Sequence, residues 1–426
     1  MMRLAAKVSR DMKNAIGSCA LVQPPKAVAA PPTTRRFSAN RSTFTFNPVA
    51  VEMIKYATSL AREHKTEESY SRGLLVLEQC ESTQSDDNSK GLVELARSTL
   101  LFERGSHEAA IERLEKIQEL SVSSIGVKVA ASEAVAGIYL ECSQEDAASV
   151  AANLTLKLLE TIQQEIGNGS GFEILEARAK AMKGLIELTS GNLDSAKKIF
   201  EGVQGQGVLA GTASLSCSEF LHGIRNFSAA KELYQEVIKT TSEIKDFCSP
   251  NNLGACNMTS DEVAVAASCG LGQLEVHMGN FSDAEEILTA TLNKAEECFG
   301  HHHPKIGIIL TCIALMYRQK AMVEHSSSLL IQEGLFRKAL ELLKAPVLEI
   351  DGKSEYGYRK DIIALARGGY AETLLVQQNR KGEGEKLKKW AETAWGDQWM
   401  SLGEALELSE SSPRLPVIDT RICRVV

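Results

Sequence analysis

Apolar residues recur at helical spacing along most of this chain. From about Phe46 onward, leucine, isoleucine, valine and alanine return every three or four positions, and short polar stretches separate the segments. This spacing places the apolar side chains along one face of a helix. The segment 306–317 is almost continuously apolar, and its length suits a buried core helix better than a membrane span. The pattern predicts an all-α protein without membrane insertion.

A repeated unit underlies these helices. Segments 184–200, 218–234 and 270–288 each carry a small residue on one helix, a turn with asparagine, and a second small residue twelve positions after the first. The pairs of small residues are Gly184 and Ala196, Ser218 and Ala230, and Gly272 and Ala284. Two antiparallel helices approach closely only where side chains are small, so each unit predicts a helical hairpin. The turn asparagine is expected to tolerate left-handed backbone geometry and to help cap the following helix.

The same spacing recurs with weaker matches elsewhere. The additional pairs are Ala61 and Gly73, Ser98 and Ala110, Ala136 and Ala148, and Ala314 and Ser326. The second small residues lie about 42 positions apart on average, which predicts about seven or eight stacked hairpins over residues 50–405. Segment 334–343 also has the pattern of a second helix, with Ala339 as its small residue, so two registers stay open between residues 314 and 345.

This unit resembles the tetratricopeptide repeat, whose basic period of 34 residues equals the step from Ala196 to Ala230. The resemblance implies a right-handed α-α superhelix, a solenoid in which the first helix of each hairpin lines a concave groove. Longer steps imply inserted loops, for which the candidates are 164–173, 202–211 and 248–260. Tryptophans 390, 395 and 399 suit a terminal cap. Residues 406–426, which contain Pro413 and Pro416, are expected to form a flexible tail.

The stretch FGHHHP at 299–304 raises the question of a metal site. A transition metal needs ligands that converge on one face, and no HExxH or CxxC pattern accompanies these histidines. Gly300, His303 and Pro304 match the place where the longer repeats of the kinesin light chain type end one hairpin and begin the next. The resemblance implies a structural turn, and we expect neither a metal nor a cofactor.

The first 37 residues have a different character. Residues 1–22 have the pattern of a basic amphipathic helix, and Asp11 is the only acid among the first fifty residues. An import receptor can bind the apolar stripe while the membrane potential draws the positive charges inward. Residues 1–37 are therefore interpreted as a mitochondrial presequence that engages the import machinery, and residues 38–49 as a linker.

The end of this segment resembles the processing signal of plant mitochondrial precursors. Two arginines precede Phe37, and the small residue Ser38 follows it, which places the expected cleavage between Phe37 and Ser38. A chloroplast transit peptide and a basic tail on a cytosolic protein are the alternatives.

Charge separates the presequence from the rest of the chain. The chain has 47 lysines and arginines and 55 aspartates and glutamates. Residues 1–37 contain seven of the basic residues and one of the acidic residues. The remainder therefore has 40 basic and 54 acidic residues and a net charge near −14. Broad contact with nucleic-acid phosphates requires a basic face. We therefore expect protein partners and no nucleic acid.

No sequence motif indicates catalysis. The chain lacks a phosphate-binding loop, a dinucleotide-binding glycine pattern and a GxSxG motif, and its ten cysteines form no CxxC pair. The sequence thus predicts a non-enzymatic protein-interaction scaffold in mitochondria, most simply in the matrix, that assists assembly or organisation of a multiprotein complex. Two alternatives stay open: an organellar RNA-associated helical-repeat factor, and a cytosolic adaptor of the kinesin light chain kind.

The tetratricopeptide resemblance also implies which residues bind a partner. Inward-facing positions of the first helices would line the groove, and in this sequence they are Glu219, His222, Gln273, His277 and Arg318. The partner itself is not encoded in these positions.

Deleting residues 1–37 is expected to abolish uptake of the in vitro synthesised protein by isolated mitochondria, because the apolar stripe and the positive charges are lost together. Protease protection and the size shift on processing are the readouts. Asp11→Asn, which keeps both properties, is the matched control. Uptake by isolated chloroplasts instead, or by neither organelle, would contradict the interpretation.

Overall fold

The structure, a computed structural model, describes residues 46–120, 123–166, 171–204, 211–243, 252–348, 358–396, 399–407 and 414–426. The predicted presequence, including Phe37 and Ser38, lies outside these residues. Within them the chain forms seventeen α-helices: α1 Pro48–His64, α2 Glu67–Thr83, α3 Asp87–Glu103, α4 His107–Glu119, α5 Ile125–Glu141, α6 Glu145–Ile166, α7 Phe172–Thr189, α8 Leu193–Gln204, α9 Thr212–Gly223, α10 Phe227–Glu243, α11 Ser260–His277, α12 Phe281–Phe299, α13 Pro304–Val323, α14 Leu329–Leu342, α15 Lys360–Leu375, α16 Lys381–Trp395 and α17 Leu402–Glu407.

Consecutive helices pack as antiparallel pairs. They form eight hairpins in the described part of the chain, from hairpin 1 (α1 and α2) to hairpin 8 (α15 and α16). Short 3₁₀ helices lie at Cys256–Met258 and Gln378–Arg380, and strands β1 (Ile418–Asp419) and β2 (Arg424–Val425) pair antiparallel. The prediction of an all-α tetratricopeptide-like solenoid of seven or eight hairpins is confirmed.

A recurring turn connects the two helices of several hairpins. The backbone N–H of Asn192 donates to the carbonyl oxygen of Glu187 at 2.8 Å, and Asn226 and Asn280 bond to Leu221 and Glu275 in the same way. The residue before each asparagine adopts the left-handed conformation, such as Gly191 at φ 78°. This arrangement satisfies the last carbonyls of the first helix.

The asparagine side chains do not have the expected role. Asn192 and Asn280 donate from their side-chain amides back to Glu187 and Glu275 on the preceding helix. The prediction that the asparagine takes the left-handed geometry and caps the next helix was therefore wrong. The residue before the asparagine adopts the left-handed conformation instead, because the six-residue hydrogen-bonded turn closes through that position.

Small residues allow the helices of a hairpin to approach, as predicted. A Cβ atom added to Gly184 would lie 2.6 Å from the ring of Phe200, and one added to Gly272 would lie 2.6 Å from Leu288. Phe200 also stacks on Phe220 of the next hairpin, with ring centroids 5.0 Å apart. The large residue therefore packs both within its hairpin and between hairpins.

The register between residues 314 and 345 is resolved by α14. Ser326 lies in the exposed turn before α14, whereas Ala339 is buried within that helix. A Cβ atom added to Gly307 on α13 would lie 2.8 Å from the Ala339 carbonyl oxygen. The pairing of Ala314 with Ser326 was therefore wrong, and 334–343 is the second helix of hairpin 7.

First and second helices form two layers. Every residue of α9 is buried, whereas α10 buries only Ala230, Tyr234 and Val237. Apart from α1, which buries one stripe only, the first helices thus lie inside the curved array, and the second helices present one apolar stripe to them. The array curves far enough for hairpin 1 to contact hairpin 6, since Lys65 Nζ donates to the Glu297 carbonyl oxygen at 3.0 Å.

Helix α13 is twenty residues long, so it extends beyond the apolar run 306–317. By length and composition alone it could cross a membrane. In the fold, most of its first half is buried against α11, α12, α14 and α15. It is therefore packed as a core helix of the array.

Two segments outside the hairpins fill the interior of the array. Residues 253 and 255–258 are buried, and the backbone N–H of Cys256 donates to Thr99 Oγ1 at 3.0 Å. All of residues 414–426 are buried as well. The expectation of a flexible tail was therefore wrong for 414–426, because these residues pack inside the solenoid. Of the other residues of the predicted tail, Leu406 and Glu407 belong to α17. Residues 408–413 lie outside the described residues.

Gly73→Ala is expected to lower the free energy of unfolding by about 1–3 kcal/mol, as overpacking does in a close-packed core. The added Cβ would lie 2.8 Å from the Ala57 carbonyl oxygen and 2.9 Å from Ala61 Cβ. Gly202→Ala is the matched control, because its Cβ would meet nothing within 4 Å. The control is expected to stabilise the protein by about 0.5–1 kcal/mol, and urea unfolding followed by circular dichroism measures both. Equal effects of the two substitutions would contradict the close-approach model.

Candidate functional site

The inner surface of the array holds the C-terminal segment 414–426. The predicted groove residues lie on three first helices: Glu219 and His222 on α9, Gln273 and His277 on α11, and Arg318 on α13. Glu219 and Gln273 bond directly to the segment, whereas the side chains of the other three residues bond to other parts of the array. Two of the five positions expected to bind a partner are thus occupied by a polypeptide of the same chain.

Gln273 binds the backbone of the segment through both the oxygen and the nitrogen of its side-chain amide. The N–H of Ile418 donates to Gln273 Oε1 at 2.8 Å, and Gln273 Nε2 donates to the Ile418 carbonyl oxygen at 2.9 Å. Leu415 is held similarly, since its N–H donates to the Gly223 carbonyl oxygen at 2.8 Å. These hydrogen bonds are made to main-chain atoms, so they fix the position of the segment independently of its side chains.

Arg421 is fully buried among acidic and hydroxyl groups. Its Nη2 lies 2.9 Å from Asp419 Oδ2, 3.0 Å from Glu219 Oε2 and 3.1 Å from Ser216 Oγ. Burial and the neighbouring Asp419 raise the pKa of Glu219 well above its usual value, in spite of the guanidinium. One guanidinium thus serves two acidic side chains, and the buried site favours the protonated form of Glu219.

Arg424 occupies a second acidic site at the other side of the two-stranded unit. Its Nε donates to Asp361 Oδ2 at 3.0 Å, and its Nη1 donates to Glu145 Oε1 at 2.7 Å. Asp361 Oδ2 also accepts the N–H of Val425 at 2.7 Å. Glu219, Glu145 and Asp361 thus present three carboxylates of the array to two arginines of the segment.

Aliphatic residues of the segment join two parts of the core. One set packs with core residues of hairpins 3 to 5 and of α11: Val417, Ile422 and Val426. The other set packs with hairpins 6 to 8: Ile418, Cys423 and Val425. A cavity of about 40 Å³ lies beside Gln273, His277 and Pro416. All residues from 414 to 426 are buried, so the segment fills the inner surface where it lies.

A further group of buried charges lies beside the segment. Arg359 Nη2 donates to Glu141 Oε1 at 2.7 Å, and Lys305 is bonded to Glu262. Burial opposes ionisation of Glu141, but Arg359 and Lys305 hold its pKa below the usual value. Burial raises the pKa of Glu262 to about 7 in spite of Lys305. No residue of this group was predicted from the sequence.

The two predicted groove histidines bond to each other. His222 Nε2 lies 2.7 Å from His277 Nδ1, and His222 Nδ1 lies 3.3 Å from the Tyr234 hydroxyl. Burial lowers the pKa of His222 well below its usual value, with a smaller contribution from His277. Burial and the nearby Arg225 lower the pKa of His277 to about 3. Both rings are therefore neutral at physiological pH.

Arg318 connects elements of the array. Its guanidinium bonds to Glu372 on α15 and to the Leu406 carbonyl oxygen on α17. This side chain thus bonds to hairpin 8 and to the helix that follows it, instead of bonding to residues 414–426. These contacts lie beside the cavity.

The histidines at 301–303 form the turn between α12 and α13. Gly300 ends α12 with φ 89°, Pro304 is the first residue of α13, and His303 Nδ1 accepts the N–H of Lys305 at 3.2 Å. His301 is exposed and its Nδ1 lies 3.2 Å from Glu296 Oε2. The expected structural turn is confirmed. In the part of the chain that the structure describes, no three histidine, cysteine, aspartate or glutamate side chains are grouped to hold a metal ion.

Comparisons with known proteins find similarity among solved structures only. The sequence matches no protein-family model, and it matches no curated protein. Solved structures that resemble it include a signal transduction ATPase with numerous domains from Pyrococcus horikoshii, which has a tetratricopeptide repeat sensor. The match has 13% identity and a TM-score of 0.40, and it covers 80% of this chain and 46% of that protein, so this chain spans less than half of the protein's length. The class of protein, a tetratricopeptide-like α-solenoid, therefore rests on the hairpins themselves.

The histidine pair is expected to make the stability depend on pH. Below pH 6.5 the unfolded chain gains a proton on His277 that the folded chain does not bind, so the free energy of unfolding falls as the pH falls. His277→Gln is expected to reduce this fall by about 2 kcal/mol between pH 7 and pH 5. Urea unfolding at both pH values is the measurement.

The exposed residue His64 supplies the control for that experiment. His64→Gln is expected to leave the pH dependence of wild type unchanged. If His277→Gln also followed the wild-type curve, the histidine pair would not be a source of acid sensitivity.

Proposed function

We propose that this protein is a non-enzymatic interaction scaffold of the tetratricopeptide type in mitochondria, where it assists assembly or organisation of a multiprotein complex. One observation carries the proposal. The inner surface binds a short two-stranded hairpin, residues 414–426, through Gln273 and Glu219, two of the positions that the repeat pattern assigns to partner binding. This surface therefore has the chemistry required to hold protein segments.

The location rests on the sequence of residues 1–37. The basic amphipathic pattern and the arginines before Phe37 favour import, with the matrix as the destination, and a chloroplast or the cytosol as the alternatives. The kinesin-like turn at Gly300 to Pro304 has a structural role in the fold and does not by itself favour a cytosolic adaptor.

The acidic inner surface favours a protein partner over RNA. Glu145, Glu219 and Asp361 face the interior, and carboxylates repel a phosphate backbone. RNA association through another surface is the second candidate, which the following experiment also tests.

A biotin ligase inserted between Ser326 and Ser327 tests the function in cells. This turn is exposed, whereas the segment 414–426 is buried, so a C-terminal fusion would disturb the interior. We expect the fusion to reside in mitochondria and to label a small set of proteins that co-migrate with it on native gels. A free ligase carrying residues 1–37, expressed at the same level, is the control.

Three results would contradict the proposal. These are a labelled set identical to that of the free ligase, migration as an isolated chain, and a cytosolic location of the intact protein. Recovery of ultraviolet cross-linked organellar RNA, without stable protein partners, would favour the RNA-associated alternative.

A further inference from the structure

The contacts of residues 414–426 have the form of ligand recognition as well as core packing. Main-chain groups of Ile418 and Leu415 are bound by Gln273 and Gly223, as a groove binds any extended peptide. Each arginine then enters its own acidic site. A buried strand needs apolar contacts and partners for its backbone polar groups. The charged contacts of the two arginines go beyond this need, because they also specify the charge of the occupant.

Charge decides what kind of occupant fits. The array contributes Glu219 to the site of Arg421, and Glu145 and Asp361 to the site of Arg424. Without the two guanidinium groups, the acidic side chains of both sites would lose their countercharges, and Glu219 and Asp361 would do so in a buried place, which is unfavourable for a group that stays ionised. The inner surface therefore requires a cationic occupant.

The spacing of the arginines narrows the chemistry further. They are three positions apart, and branched aliphatic residues lie between and after them: Ile422, Val425 and Val426. These aliphatic side chains enter the two neighbouring core clusters. An occupant thus needs two basic residues at this spacing and aliphatic residues that cover the apolar surface around them.

We propose that the inner surface formed by α9, α11, α15 and the start of α6 is a binding site for a basic, aliphatic polypeptide segment of a partner protein. Residues 414–426 are its resident occupant, and the partner's segment takes their place. The proposal rests on the proposed scaffold function and adds to it the chemistry of the partner. It also explains why a binding surface is filled in the isolated chain.

A cleavable form of the full chain tests this exchange. A protease recognition sequence placed between Glu407 and Arg414 allows the segment to be cut after folding, without refolding a truncated protein. A fluorescent peptide with the sequence of residues 414–426 is then added, and its anisotropy is followed together with the far-ultraviolet circular dichroism of the protein. We expect saturable binding to the cut protein, and slower and weaker binding to the uncut protein, in which the peptide has to displace a tethered segment. The helix content is expected to stay unchanged in both.

Charge variants test the specificity of the site. A peptide with Arg421→Glu and Arg424→Glu is expected to bind at least about tenfold more weakly, since it loses charge-assisted hydrogen bonds and adds like charge. In the protein, Glu145→Gln is expected to weaken binding of the natural peptide by up to about tenfold. Glu52→Gln, on the exposed outer side of α1, is the matched control and is expected to have no effect.

Several outcomes would overturn the proposal. If the cut protein retains its own segment against a hundredfold excess of peptide for days, or loses helix content as the segment leaves, the segment is a permanent part of the core. Equal binding of the charge-reversed peptide would remove the basic specificity. Cross-linked dimers that exchange segments would make a second copy the occupant. Any of these results together with a positive labelling experiment would leave the scaffold function standing, on another surface.

Discussion

Two buried arginines hold this fold together at its centre. Arg421 and Arg424 are paired with carboxylates that come from α9, α15 and the start of α6, so one short segment connects elements distributed along the whole array. A buried charge is stable only beside its partner, so whatever occupies the inner surface has to supply groups that match these carboxylates. The curvature that brings hairpin 1 onto hairpin 6 and the filling of the interior are therefore one arrangement. A straight stack of the same hairpins would offer these arginines no enclosure.

The hairpins could be predicted from sequence because their signal is local. Gly184 and Ala196, or Gly272 and Ala284, are twelve positions apart, and each pair lies at one contact between two adjacent helices. The register near residue 326 was ambiguous for the same reason, since two local patterns competed and only packing against Gly307 distinguishes them. Local patterns also misassigned the turn asparagines, because which residue adopts the left-handed conformation depends on how the whole turn closes.

The interior could not be predicted in this way. Residues 414–426 combine proline, threonine and charged residues, and this local composition is typical of an unpacked tail. Their burial depends on partners far away in sequence: Arg424 bonds to the Leu140 carbonyl oxygen across 284 positions. The repeat pattern points to Glu219 and Gln273, which lie beside the inner segment, because the register of a hairpin fixes which side of the first helix faces inward. It could not identify what these residues bind, and it gave Arg318 a role that its bonds to α15 and α17 do not reflect.

The position of the inner segment in the chain has a consequence for the order of folding. Residues 414–426 are synthesised after all eight hairpins, yet they lie inside the space that those hairpins enclose. Helical hairpins form rapidly from neighbouring residues, whereas contacts across hundreds of positions form slowly. The hairpins can therefore form before the interior is filled, and the acidic inner surface stays uncovered until this last strand pair enters. During that interval the nascent protein exposes apolar surface from both core clusters, and chaperones that shield such surface would find their substrate there.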